Sequence, residues 1–509
     1  MAITPPGTPI IIDIGSAYVK IGFAGEPAPR FVFPTITGTE KYKTIMVDVG
    51  PRNIYVGNDA MRMRGVLKVK HPIERGNILD WNDYYEILNY IFYSLLRIEN
   101  LSEYPVLYTE QPFVQKDVKE YIARVLYETH RVKSLIMVPT PILSIFSVGL
   151  TTGLVIESGD GITWICPIIN GQIIDQAVQK LPLAGMDINQ YLKNLLLREG
   201  INIESSAADE IIREIKERNC YFILDSTNVP KTNDSLTLSL PDGSSVSIPN
   251  YVFYEAPEVL FQPNLLGYPV MSIPKAVIAS LKNVDKQYWS ELLSHVVLSG
   301  GNLSYSGFEE RLKLELLRYL PGLGGIPRIK KVGPTITKEK PRLRPVESTK
   351  KTGDTCPHCG VYVDLSDGKE YCPSCGGQLK LPEIKIDLTP TKETVEKSAD
   401  KIYCKHCHKE IMDSSSLFCP YCGKPLEKPT ELQPTIPTIS ETQVPVEFDG
   451  FYDKLDTLLK FYVPDNLQYA IFNGAAILGS LPSFLRLFVT YEEFKTNSDY
   501  LYKDISEIF

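Results

Sequence analysis

Eight of the ten cysteines stand in Cys-x2-Cys pairs, a spacing that turns two thiolates toward one point. Residues 356–375 read C-x2-C-x12-C-x2-C through Cys356, Cys359, Cys372 and Cys375. Residues 404–422 read C-x2-C-x11-C-x2-C through Cys404, Cys407, Cys419 and Cys422. Each set puts four thiolates on two knuckles, which suits Zn²⁺ in a closed tetrahedral site and leaves no open position for catalysis. The expectation is two Zn²⁺ per chain. This spacing favours metal ligation in a reducing compartment over a secreted disulfide framework, and an iron–sulfur or redox role is as weak a reading as the disulfides. His358, His406 and His408 are surplus to complete ligand sets. A unit of about 20 residues has almost no core, so the metal supplies its folding energy. Cys166 and Cys220 stand alone and read as buried thiols.

A second pattern carries different chemistry. "IIIDIGSAYVKIGF" (residues 10–23) and "LVIESGDGITWICP" (residues 154–167) share one plan: apolar strand, carboxylate, a glycine two residues on, a tight turn and a returning strand. A glycine-rich hairpin aims backbone N–H groups at one point and lets the main chain approach phosphate oxygens. The strand-end carboxylates, Asp13 and Glu157, can then hold hydrated Mg²⁺, which takes only one or two protein ligands. Either hairpin alone reads as an ordinary β-turn. Two of them, with "LSGGN" (residues 298–302) after a third apolar strand, point instead to a phosphate site between two related lobes.

The elements that position these residues alternate in type, so the class is α/β. Strands read as β-branched runs bounded by glycine, in "PIIIDIGS", "YVKIGFAG", "TGLVIESG", "GITWICPII" and "SHVVLSGG". Residues 82–97 carry Tyr84, Ile87, Leu88, Ile91, Phe92 and Leu95 at helical spacing, and residues 116–129 carry Val118, Tyr121, Ile122, Val125 and Leu126. Both stripes predict core-packed faces. Ser306 and Glu309 have the spacing of a capping box that opens a helix reaching about Tyr319. Residues 1–321 thus form a first globular part, and residues 322–355, rich in Pro, Gly, Lys and Arg, a basic linker. The cysteine units span 356–376 and 404–423, with linkers at 377–403 and 424–450, and globular patterning returns over 451–509. A net charge of -8 gives no overall attraction to nucleic acid or anionic membrane. No basic leader precedes the first apolar run and no run reaches the roughly 18 residues of a membrane span, so the expectation is a cytoplasmic protein.

The segments "PIIIDIGSAYVKIGFAGEPAPRFVFPT", "HPIERGNILDWND", "TTGLVIESGDG", "LAGMDINQYL", "IIREIKERNCY", "LFQPNLLG" and "VLSGGN" resemble, in order and nearly in spacing, the motifs of actin and actin-related proteins. The likeness covers roughly residues 9–320 and 455–497. It implies an actin-like ATPase fold of two duplicated lobes, four subdomains in all, around a cleft holding ATP or ADP with Mg²⁺. Subdomain 2 falls at about 35–71 and subdomain 4 at about 184–268. Carried over by motif, Asp13 and Glu157 hold Mg²⁺ through water, Gly15 and Ser16 donate to phosphate, and Lys20 reaches the β and γ phosphates. Gly159, Asp160 and Gly161 form the second phosphate loop. Arg213, Lys216 and Glu217 lie beside base and ribose, and Gly300, Gly301, Asn302 and Tyr305 lie under the adenosine. For Lys216 and Glu217 the plain alternative is a solvated helix face. The family's water-positioning glutamine falls on Thr140 and its water-contacting histidine on Trp164, whose indole is a donor only. Glu157, one methylene longer than the usual aspartate, and Thr140 are the remaining catalytic candidates, so the resemblance implies at most a slow ATPase. Ile14 and Met186 also depart from the family's pattern.

"CPHCG", "CPSCGG" and "CPYCGKP" resemble zinc-ribbon knuckles. Neither unit has the clustered Lys and Arg that track phosphates, so protein partners, contacted through Tyr362, Tyr371, Phe418 and Tyr421, are expected ahead of nucleic acid. The loop Thr39–Arg52 keeps the length of the family's inter-subunit loop. The expectation is therefore an ATP-binding cytoskeletal protein that forms filaments and carries ribbons for partner binding. The alternative is a non-polymerising adaptor stabilised by nucleotide. A sugar kinase or chaperone ATPase of the same superfamily accounts for fewer of the segments.

Overall fold

The computed structural model describes residues 4–41, 54–203, 208–224, 234–239, 245–320 and 458–502, with four short strands between 353 and 411. In chain order, the first lobe holds β1 (Ile10–Ile14), β2 (Tyr18–Phe23) and β3 (Phe31–Pro34), then a small sheet of β4 (Thr37–Glu40), β5 (Tyr55–Val56) and β6 (Leu67–Lys70). A two-stranded hairpin, β7 (Ile73–Glu74) with β8 (Asn77–Ile78), precedes β9 (Pro105–Glu110) and β10 (Ser134–Pro139). The second lobe holds β11 (Gly153–Ser158), β12 (Thr163–Ile169), β13 (Gln172–Ile173), β14 (Gln179–Leu181), the hairpin β15 (Ser235–Ser239) with β16 (Ser245–Pro249), and β17 (Val296–Ser299). After the cysteine-bearing segments, with β18 (Gly353–Thr355), β19 (Tyr362–Asp364), β20 (Ile402–Tyr403) and β21 (Glu410–Ile411), come β22 (Phe461–Tyr462) and β23 (Val489–Thr490).

The two large sheets repeat one another. The first has the order β23-β10-β9-β1-β2-β3, and the second β22-β17-β11-β12-β13. In each, an antiparallel hairpin (β1 with β2, β11 with β12) is followed outward by two parallel strands. Register confirms the correspondence: Asp13 pairs with Lys20 in the first hairpin, and Glu157 with Trp164 in the second. The turns match as well, with Gly15 N–H donating to Tyr18 O at 3.0 Å and Gly159 N–H to Ile162 O at 3.2 Å. The C-terminal part joins both lobes, β22 extending the second sheet and β23 the first.

Burial follows from composition. Ile10, Ile11 and Ile12 are fully buried because the β1 sheet is covered on both faces. One face packs on Ile87, Ile91 and Leu126, the other on a cluster with Ile142, Leu143 and Phe472. That second cluster also contains Val155, Cys166 and Val297 of the other sheet, so the helices Thr140–Phe146 and Ala470–Gly479 lie between the lobes. They approach so closely that a Cβ at Gly474 would lie 1.8 Å from the Leu143 carbonyl oxygen. Cys166 and Cys220 are buried thiols, as expected.

Three helical expectations are corrected. Trp81–Asn89 is α-helical but Tyr90–Leu95 is a π-helix, and Lys116–Arg124 is likewise followed by π-helical Val125–Thr129. Tyr121 is not core: it is exposed, with its ring edge-on to Trp81 at 4.5 Å. Ser306 does not cap its helix, which runs Phe308–Tyr319 from Gly307. The Ser306 carbonyl instead accepts from Phe222 N–H at 2.8 Å, and Gly307, at φ 83, permits that approach. Tertiary docking overrides the local cap.

The chain divides into two compact units, and the pair β20 with β21 falls in the second, described by itself. β18 pairs antiparallel with β19 from Thr355 to Tyr362, and β20 with β21 from Tyr403 to Glu410. Strands therefore begin inside both stretches expected to be linker, 322–355 and 377–403, immediately before the first cysteine of each set. No helix among the described residues is long and apolar enough to cross a membrane.

Candidate functional site

β1 and β11 each carry a carboxylate one residue before their C-terminal end, the end of the strands at which open α/β folds bind ligands. Asp13 is 4% exposed. It accepts from Lys20 Nζ at 2.9 Å and from Thr109 Oγ1, at the end of β9, at 2.8 Å. Glu157 is 7% exposed and is held by two hydroxyls, Thr140 Oγ1 to Oε1 at 2.6 Å and Ser144 Oγ to Oε2 at 2.9 Å. Ser299 Oγ lies 2.9 Å from Ser144 Oγ; a hydroxyl has one proton, so with Ser144 donating to the carboxylate, Ser299 donates to Ser144. Burial pushes the Glu157 carboxyl up to about 7 against the two hydroxyl bonds, and the Asp13 charge pushes it the same way.

The two hairpins differ at one register position. Lys20 brings an ammonium to Asp13, whereas Trp164, opposite Glu157, is buried in the inter-lobe cluster with Val138, Ile142 and Val155. Glu157 therefore has hydroxyls where Asp13 has a cation. Of the two catalytic candidates, Thr140 is engaged with the other, Glu157.

A connection missed in the sequence closes the site from above. The tip of the β7–β8 hairpin carries Arg75 at φ 45 and Gly76 at φ 70, a left-handed pair that suits glycine and strains arginine. Gly76 N–H donates to Ser16 Oγ at 3.1 Å, while Arg75 Nη1 donates to Gly161 O at 3.1 Å. The Arg75 guanidinium also grips Asp187 with two bonds, 2.6 and 3.1 Å, and Asp187 is 1% exposed. One turn thus touches both glycine hairpins. The local signal for it, Gly76 in "IERG", marks a turn but not its destination.

Other expected residues gather unevenly. Gly15 and Gly159 lie in the turns of the two hairpins, where their N–H groups bond back to Tyr18 O and Ile162 O. Asp160 and Lys216 come together at 3.9 Å, and Lys216 Nζ donates to Gly185 O at 3.0 Å. The plain alternative for Lys216 fails: it is buried, and burial lowers its ammonium pKa. Glu217 remains exposed. Arg213 pairs with Glu210 and lies 4.9 Å over the Tyr18 ring; with Arg64 and Glu217 these line a cavity of about 340 Å³ between the lobes. Gly300, at φ 94, passes so close to Ser158 that a Cβ would lie 2.1 Å from its carbonyl oxygen. Gly301 is exposed, and Asn302 turns inward, Nδ2 donating to Ser158 Oγ at 2.9 Å. Tyr305 is buried against Phe222 rather than open to the cleft, and its phenol pKa is raised by burial.

These residues suit a metal–nucleotide group. Asp13 is paired with the Lys20 ammonium. Among the described residues the buried Glu157 has hydroxyl partners and no cation, so a divalent cation would stabilise its charged form, and Asn302 Oδ1 is buried with no partner. No group of three or more His, Cys, Asp or Glu is gathered for a metal among the described residues. The zinc candidates Cys356, Cys359, Cys372, Cys375, Cys404, Cys407, Cys419 and Cys422 lie outside the described residues. The paired strands bracket the first two cysteines of each set in the same way, residues 356–361 and 404–409 falling between partners.

Comparison with protein families gives two matches. The family model described as Actin matches residues 5–342, and the model described as Double zinc ribbon matches residues 349–424.

Proposed function

The chain belongs to the actin family, whose model covers residues 5–342 of 509, and from that premise we propose that it binds ATP with Mg²⁺ in its cleft, hydrolyses it slowly and assembles into filaments. The observation carrying this reading is the repeated strand-end carboxylate: Asp13 and Glu157 occupy one register position in two copies of one hairpin, both buried at the cleft. Asp13 and Glu157 hold the hydrated cation. Ser16, Lys20, Asp160 and Gly161 attend the phosphates, and Arg213, Lys216, Glu217, Gly300, Gly301, Asn302 and Tyr305 the nucleoside side. Bound Mg²⁺ supplies charge neutralisation at the phosphate oxygens. Lys20 adds an ammonium, and Arg75 with Gly76 holds the two loops at a fixed separation.

Slow turnover follows from Thr140 and Trp164, since one hydroxyl is engaged by Glu157 and the indole is buried in the core. A positioned acid–base group contributes about 10²–10⁴-fold. The double zinc ribbon, holding two Zn²⁺, serves in this reading as a protein-binding appendage of a cytoplasmic, cytoskeletal protein. A second reading, a non-polymerising adaptor that uses nucleotide for rigidity, draws on the same engaged Thr140.

Sedimentation separates the two. Full-length protein and a deletion of residues 324–450 are spun with Mg²⁺ and ATP or a nonhydrolysable analogue. Pelleting of both supports filaments. If neither pellets at high concentration, the adaptor reading replaces the filament reading.

A further inference from the structure

β9 and β10 run parallel, with Glu110 opposite Pro139. The next residues, Gln111 and Thr140, therefore leave neighbouring strands side by side, roughly 4.8 Å apart. On the flanks of Gln111, Thr109 is bonded to Asp13 and Thr140 to Glu157. Gln111 thus leaves the strand that lies between β1, which carries Asp13, and β10, which runs into Thr140.

Its side chain goes toward the turn that joins the glycine hairpins. A Cβ at Gly76 would lie 1.4 Å from Gln111 Nε2, 2.2 Å from Cδ and 2.4 Å from Oε1, so the amide occupies the space that Gly76 leaves open. The same Gly76 donates to Ser16 Oγ, and its neighbour Arg75 donates to Gly161 O. The amide is thus within the contact that closes both loops. Gln111 is half-buried, and among the described residues its amide has no hydrogen-bond partner. An amide offers an acceptor oxygen and two donor protons on one rigid group. The Thr140 hydroxyl donates its one proton to Glu157 and keeps only acceptor lone pairs.

We propose that Gln111, reaching from the end of β9, orients the water that attacks the terminal phosphate. This rests on the nucleotide reading above. Gln111 Oε1 accepts from the water, whose oxygen bonds to the terminal phosphorus as the bond to the bridging oxygen breaks. The electron pair of that bond stays with ADP, and the water's proton ends on the released phosphate. Slow hydrolysis is then the work of one amide without a second water contact at Trp164.

The test compares wild type with Gln111→Ala and the better-filling Gln111→Leu. Single-turnover phosphate release should fall about 10–100-fold in both variants while Mg-ATP affinity stays within about twofold. Affinity for ADP with aluminium fluoride, which holds a water opposite the leaving oxygen, should drop about tenfold or more with ADP affinity unchanged. Gln111→Ala with Thr140→Gln should recover part of the rate. Unchanged phosphate release in both single variants overturns the proposal. So does an equal loss of affinity for ADP, ATP and the analogue, which would make the amide a spacer for the Gly76 turn. A wild-type chain that binds Mg-ATP but releases no phosphate overturns it and leaves the binding reading standing; a wild-type chain that binds no Mg-ATP overturns the nucleotide reading itself.

Discussion

Thr140 Oγ1 donates a 2.6 Å hydrogen bond to Glu157 Oε1, and both residues are buried between the lobes. The bond ties the first turn of the helix Thr140–Phe146 to the end of β11. It also explains how a carboxylate tolerates burial there with no cation of its own. The hydroxyls of Thr140 and Ser144 stabilise the charged form only partly, so the carboxyl sits near neutrality.

Glu157 should therefore cost stability in the nucleotide-free protein. Its folded pKa, about 7, lies above the ordinary carboxyl value of 4.5, so the folded state binds more protons between those pH values. Stability falls as pH rises through that window, by about 3 kcal/mol in all. Glu157→Gln is expected to raise the unfolding free energy by about 1–3 kcal/mol at pH 8 and by little below pH 4.5, while weakening Mg-ATP binding. Urea melts at the two pH values check this; an equal effect at both contradicts it.

Arg75→Ala should leave Asp187 a buried carboxylate with the Ala184 N–H, at 2.7 Å, as its remaining contact. Removing one partner of a buried pair costs about 3–5 kcal/mol, and the partial exposure of Arg75 argues for about 2–3. Arg75→Lys should recover little, because a lysine cannot make the two-bond grip. Hydrogen exchange at Gly76 should accelerate in both variants. Retained protection at that amide would show the hairpin tip to be held by something else.

His130 is buried among Phe92, Tyr85 and Tyr93, at 4.9, 5.6 and 5.9 Å between ring centroids, with no partner for either ring nitrogen. Burial lowers its pKa to about 4. The neutral ring is stable above the ordinary value near 6.5, and stability is lost as pH falls from there toward 4, because the unfolded chain takes up the proton first. His130→Leu should remove about 3 kcal/mol of that acid loss. Superimposable pH–stability curves for the two proteins would be inconsistent with the buried neutral ring.

The architecture was more legible than the site's wiring. β-branched runs bounded by glycine located β1, β2, β11, β12 and β17, and the repeated carboxylate–glycine plan located both hairpins. Local pattern carries that information because strand burial and turn geometry are set by neighbours in sequence. Contacts between Arg75 and Asp187, or Thr109 and Asp13, join residues about a hundred positions apart and leave no local trace. Ser144 looked like any helical serine. The Ser306 cap failed for the same reason, a distant Phe222 N–H claiming the carbonyl. Nor does apolar spacing distinguish an α-helix that continues from one that widens into a π turn at Tyr90 or Val125.

Two Zn²⁺ per chain are expected from elemental analysis of purified protein, with about one lost in Cys356→Ser. Chelation should unfold the ribbons and leave the melting of the core unchanged. Fewer than about one zinc per chain, unaltered by that substitution, rules the ribbon sites out.

The central claim is that two repeated strand-end carboxylates hold a metal-bound nucleotide. Calorimetric titration of Mg-ATP into wild type and Asp13→Ala tests it most directly, with thermal melts confirming that both are folded. The account predicts saturable binding by wild type at one site per chain and loss of tight binding in the variant. Equal affinity in the two proteins would contradict it.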